Sequence, residues 1–166
     1  PLVLNNLELL HFLQETYEQN QTIFGLFSDP ASPTEDPLFL EIAVEMAIAS
    51  IIELDSDRYS VLFQVLRRVE FTDIAVDGDQ VFLKALPIKH RYRRTEELTA
   101  LKRLVLEKFE RYVELVDFIS EDVFNYIEVT EDPGDLADFI VSTLDLPYTT
   151  RVAFLKETNG VERLNM

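Results

Sequence analysis

His11 and His90 are the first residues to weigh for general-base or metal chemistry. A ligand pair on one helix needs a spacing of three or four, and these two are far apart in the chain. His11 falls beside the apolar face of a predicted helix and reads as a boundary residue. His90 lies in a basic stretch and reads as a solvated one. There is no cysteine, which excludes disulfides, thiolate metal sites and a cysteine nucleophile. Serine occurs at seven positions, none in a Gly-x-Ser-x-Gly turn. A phosphate-cradling loop needs several backbone N–H groups converging where side chains would obstruct, so its glycines cluster. The four here, Gly25, Gly78, Gly134 and Gly160, are scattered. Glu35-Asp36 and Asp55/Asp57 lack the alternating ligand spacing of a calcium loop, and ordinary turn chemistry accounts for both. No catalytic, cofactor-binding or metal-ligating residue is assigned.

The elements around these residues change character near residue 89. Leu7, Leu10, Leu13 and Tyr17 recur at helical spacing, which predicts a short amphipathic helix over 5–19. Thr22–Phe27 reads as a strand. Ser28–Pro37, with three prolines and three acids, reads as a loop. Ile42–Leu54 is long and apolar; Glu41, Glu45, Met46 and Ala47 would suit a helix, but the β-branched residues and the turn that follows favour a strand. Asp55-Ser56-Asp57 makes a turn, and Tyr59–Val65 is the return strand of a hairpin. Arg67–Ala75 alternates. Asp77-Gly78-Asp79 is a second hairpin signal, before a strand at Val81–Leu86. The strands should curl around Ile23, Val44, Ile48, Leu62, Phe71, Val81 and Leu83. Thr95 then caps a helix running to about 117, with Glu96 and Glu97 at its positive end. Ser120 caps a short helix. Asp132-Pro133 opens another, pairing an N-cap acid with proline at the first helical position. Pro147 interrupts, Thr149–Thr158 is helical, Asn159-Gly160 stops it, and a further element begins at Val161. The fold class is therefore α+β. A small, twisted, barrel-like antiparallel β lobe with one helix (1–88) precedes an all-helical lobe (89–166).

The 166 residues suit one domain or two small lobes. Hydrophobic residues are 47% and charged residues 28%, the balance of an ordinary soluble protein. No apolar run approaches the roughly 18 residues of a membrane span. The net charge is −16. Residues 1–57 hold eleven Asp and Glu and no Lys or Arg. Positive charge gathers from Lys84 to Arg111, a stretch that reads as a basic linker and a solvated helix face. Phosphate would be repelled overall, so no nucleic-acid partner is assigned.

The helical part carries an ordered set of short matches. These are Phe109-Glu110-Arg111-Tyr112, Ile119-Ser120, Glu131-Asp132-Pro133-Gly134-Asp135-Leu136-Ala137-Asp138-Phe139-Ile140, Leu144-Asp145-Leu146 and Val161-Glu162-Arg163-Leu164. In this order they resemble the N-terminal domains of Lon-type ATP-dependent proteases. The first half is similar at Leu10 and Leu13, Thr22–Ser28, Glu35-Asp36-Pro37, Ile48–Ile52 and Arg68-Val69. It departs at Asn5-Asn6-Leu7, Met46-Ala47 and Gln64-Val65, so no polar substrate contact is carried over to the first helix.

The resemblance implies a non-catalytic recognition domain that binds unfolded or tagged proteins. The parent would be a cytoplasmic, hexameric serine endopeptidase, with ATP and magnesium on an ATPase module elsewhere in its chain. It also implies a first strand upstream of Pro1 and a connector helix cut off soon after Val161. The alternative is a stand-alone adaptor or ligand-binding module of the same fold. A domain that surveys many clients should offer shallow apolar surface, because its clients share hydrophobicity and little else. Phe12, Phe39 and Phe82 fall off the predicted core faces and are the candidate substrate-binding residues, in a groove expected where the lobes meet. The acidic first lobe should favour clients with basic flanks.

Overall fold

The computed structural model describes residues 1–32, 38–55, 58–78, 80–89, 91–116 and 121–166. The expected turn residues Ser56, Asp57 and Asp79, the acidic Glu35-Asp36-Pro37, His90 and the Ile119-Ser120 cap lie outside them. The chain divides into two compact units, Pro1–Ile88 and Lys89–Met166.

Among its described residues, the first unit is a five-stranded antiparallel sheet with one helix. Its strands are β1 (Leu2–Leu4), β2 (Thr22–Gly25), β3 (Ile42–Asp55), β4 (Arg58–Asp77) and β5 (Gln80–Pro87), and its helix is α1 (Leu7–Glu18). β4 is central: it pairs with β3 on one side and with β1 and β5 on the other, and β2 lies beyond β3. Asn6 caps α1, its side chain accepting from the N–H groups of Glu8 and Leu9 at 3.0 and 3.1 Å. The helix leaves through Asn20, whose φ of 54° is the left-handed conformation that asparagine tolerates. Leu13 packs on Leu4, Ile48 and Val61, with Ile23, Ile51 and Phe63 around them. Burying one such side chain contributes about 1.5–3 kcal/mol.

Three features differ from the sequence reading. A strand, β1, precedes the helix, where the sequence reading had no element. β2 ends at Gly25, two residues early, although Leu40 N–H still donates to the Phe27 carbonyl at 2.9 Å and Ser28 bridges Phe39. The two runs Tyr59–Val65 and Arg67–Ala75 are one strand of 20 residues. A bulge at Leu66, between the pairs Met46–Val65 and Glu45–Arg67, reverses which side chains face the helix. Two expected core residues are corrected, neither of them by the bulge. Leu62 alternates with the buried Val61, pairs with Ser50 and is exposed. Val81 is exposed because it pairs with Val76 at the hairpin tip, past the end of β3. That tip turns at Gly78, whose φ of +61° suits glycine.

The second unit is helical: α2 (Glu96–Val113), α3 (Glu121–Val129), α4 (Pro133–Thr143), α5 (Tyr148–Lys156) and α6 (Gly160–Asn165). Thr95 caps α2, accepting from Leu98 N–H at 3.2 Å. The helix stops at Val113, short of the expected 117. Leu98, Phe109, Ile127, Leu136, Ala137, Ile140 and Leu164 form the core. Asn159 does not merely stop α5. It caps α6, accepting from Val161 N–H at 3.0 Å.

Candidate recognition surface

The residues that carried the family resemblance do structural work. Asp132 caps α4, accepting from the N–H groups of Gly134 and Asp135 at 2.7 and 3.1 Å. Pro133 fills the first turn, where its missing N–H costs nothing. Leu136 and Ala137 are buried in the core. Gly134 lies against Gly160: a Cβ on Gly160 would stand 2.9 Å from the Gly134 backbone. Arg163 is buried, with its Nε 2.9 Å from Asp138 Oδ1 and its Nη1 donating to the Glu157 carbonyl at 2.5 Å. These contacts clamp α6 onto α4. They offer no nucleophile.

The expected binding residues stand on three elements of the first unit. Phe12 lies on α1 beside the buried Leu13 and is 43% exposed. Phe39 is 52% exposed at the neck of the loop, where Asp29 N–H donates to the Leu38 carbonyl at 2.7 Å and Leu40 turns inward. Phe82 is 52% exposed on β5, opposite Ala75, on the two-stranded ribbon that runs beyond β3. Each ring offers apolar area to solvent.

The sequence reading missed a second apolar group, on the sheet. Side chains at paired positions share a face. Val3, Ser60 and Ile52 therefore form one row across β1, β4 and β3, and Leu62 and Ser50 form the next. The neighbouring row of Leu2, Val61 and Ile51 points the other way, and Val61 and Ile51 in it pack with Leu13 of α1. Val3, Ile52 and Leu62 are all exposed. The signal for them was the alternation on either side of Val61, which a register of three strands was needed to read.

Both units hold ion pairs. Arg67 Nε donates to Glu45 Oε2 at 2.5 Å and Thr22 Oγ1 donates to Glu45 Oε1 at 3.1 Å. The Arg67 hydrogen bond holds the Glu45 carboxyl below its ordinary pKa, against the opposing effect of burial. In the second unit an open depression of about 580 Å³ is lined by Tyr92, Arg94, Lys102, Arg103, Glu107 and Glu131. Arg94 pairs with Glu131, and Lys102 Nζ donates to the carbonyls of Thr130 and Glu131 at 2.9 and 3.1 Å. Two cations of the basic stretch, Arg94 and Lys102, thus hold the segment that follows α3. His11 is exposed on α1. Among the described residues, no group of three or more His, Asp or Glu is placed to hold a metal ion, and no helix is long and apolar enough to cross a membrane.

Known proteins supply the last observation. Residues 1–166 match the family model described as the ATP-dependent protease La (LON) substrate-binding domain. The chain is 26% identical to the Lon protease of Haemophilus influenzae over 168 aligned residues, covering 99% of this chain and 21% of that protein. It is 27% identical to the Lon protease of Brevibacillus choshinensis over 119 residues, 72% of this chain and 15% of the relative. It thus spans about a fifth or less of the length of these relatives. Two solved structures share the fold. The N-terminal domain of Mycobacterium avium complex Lon protease has a TM-score of 0.61 at 17% identity, covering 88% of this chain and 87% of that one. The Lon N-terminal domain protein from Xanthomonas campestris has a TM-score of 0.65 at 13% identity, covering 99% and 84%. The chain belongs to the family of Lon protease substrate-binding domains.

Proposed function

We propose that this chain is the non-catalytic recognition domain of a Lon-type ATP-dependent serine protease, and that it binds unfolded or tagged segments of client proteins. The match of the family model across residues 1–166 carries this reading. The exposed apolar side chains of the first unit supply surface of the right chemistry, with Phe12, Phe39 and Phe82 as client contacts. ATP with magnesium, and the serine nucleophile, belong to other modules of a hexameric, cytoplasmic parent protein. The chain alone therefore neither hydrolyses ATP nor cuts unfolded protein. Turnover by purified, protease-free material would contradict this.

Crosslinking tests the binding role. An unfolded protein carrying photoreactive groups is irradiated with the 166-residue chain, and the crosslinked peptides are mapped by mass spectrometry. Crosslinks should fall on the first unit, around Phe12, Phe39 and Phe82, and should fade when the same client is folded. Crosslinks spread evenly over both units, or equal for folded and unfolded clients, would contradict the reading.

A further inference from the structure

We propose that the sheet face opposite α1, at Val3, Ile52 and Leu62, docks an extended apolar client segment flanked by lysine or arginine. The inference rests on the recognition role proposed above and adds to Phe12, Phe39 and Phe82 a second contact surface on the first unit, with a stated preference for its occupant.

The first support is the arrangement. Val3, Ile52 and Leu62 are 56%, 56% and 45% exposed, yet they lie on adjacent strands and in adjacent rows. The paired positions between them are Ser60 and Ser50, which are small. Three exposed branched side chains around two serines make an apolar surface on this face. The strands beneath are fixed, because their opposite face packs under α1 through Leu4, Ile48 and Val61. Docking there needs no rearrangement of the core.

The second support is charge, which narrows the occupant. Residues Pro1–Ile88 hold fifteen Asp and Glu against four Lys and Arg. Of those four, Arg58 is paired with Asp55 and Arg67 with Glu45. An acidic segment would approach this unit against repulsion, whereas Lys or Arg on either side of an apolar stretch would be attracted. Apolar contact supplies the affinity and the flanks supply the preference, so the preference weakens as salt rises while the contact does not.

The test uses fluorescent peptides with one apolar centre and either lysine or glutamate flanks, titrated into the 166-residue chain. The protein is compared with an Ile52→Ser/Leu62→Ser variant, with Val3→Ser, and with Val129→Ser as an exposed control in the second unit. Melting temperatures establish that each variant is folded. The lysine-flanked peptide should bind wild type about tenfold tighter than the glutamate-flanked one at low salt, a gap that closes at high salt. Ile52→Ser/Leu62→Ser should lose about tenfold in affinity for the lysine-flanked peptide. Val3→Ser should lose less, and Val129→Ser should bind as wild type. Should the double variant misfold, the Val3→Ser loss and crosslinking from a photoreactive residue at 62 read the same face. Wild-type binding that survives every change on this face would overturn the docking site and leave the recognition role standing. Equal affinity for both flanks would overturn the stated occupant. No binding of either peptide by wild type would remove the recognition role as well.

Discussion

A methyl group on Gly160 would meet the Cα and N of Gly134 at 2.9 Å, closer than real Cβ contacts come. Backbone atoms cannot rotate away, so α6 would have to lift from α4. Gly160→Ala should therefore destabilise the second unit by about 1–3 kcal/mol, measured by denaturant unfolding, as overpacking does. An unchanged midpoint would show that α6 is free to shift. In the first unit, the lowered pKa of Glu45 makes its pairing with Arg67 dependent on pH. The carboxylate is favoured in the folded state, so its contribution is complete above the ordinary glutamate range. It disappears as pH falls through the lowered folded-state pKa. Glu45→Gln should lower the melting temperature at pH 7 and leave a smaller difference from wild type near pH 3. A difference that grows toward low pH would reverse the sign and refute the pairing.

Helix ends were the most legible elements, because a cap is written in two or three adjacent residues. Thr95 and Asp132-Pro133 mark the starts of α2 and α4, and the structure places their side chains on the N–H groups that need them. Asp132→Ala should cost about 0.5–2 kcal/mol, with Asp132→Asn nearly neutral, if capping is what the residue supplies. Equal losses in both variants would point to its charge instead. Strands were legible as runs and hairpins, since Gly78 and the alternation of β4 and β5 are local signals. Their faces were not. The bulge at Leu66 sits inside an unbroken apolar run, Val65-Leu66, and nothing local shows that one residue is skipped. That single skip joined two expected strands into one. The outward turn of Leu62, by contrast, follows from plain alternation with the inward Val61 and Phe63. Asn159-Gly160 misled in another way, because a residue that ends one helix also suits the start of the next.

For the whole molecule, the family pattern was legible because its residues make contacts that substitutions break: the Gly134–Gly160 approach, the Asp138–Arg163 pair and the buried Leu136. Recognition surface has no such signature, since any apolar residue left off the core serves. The aromatic candidates could be named from periodicity, whereas Val3, Ile52 and Leu62 become neighbours only once three strands are in register. The charge of the first unit was plain from counting alone, and it gives the account its selectivity. The most direct measurement follows the anisotropy of one labelled protein, held unfolded by destabilising substitutions or folded in its wild-type form, as the 166-residue chain is added. The account predicts saturable binding of the unfolded form, and at least about tenfold weaker binding of the folded form. Equal affinity for both forms, or no binding of the unfolded one, would contradict it.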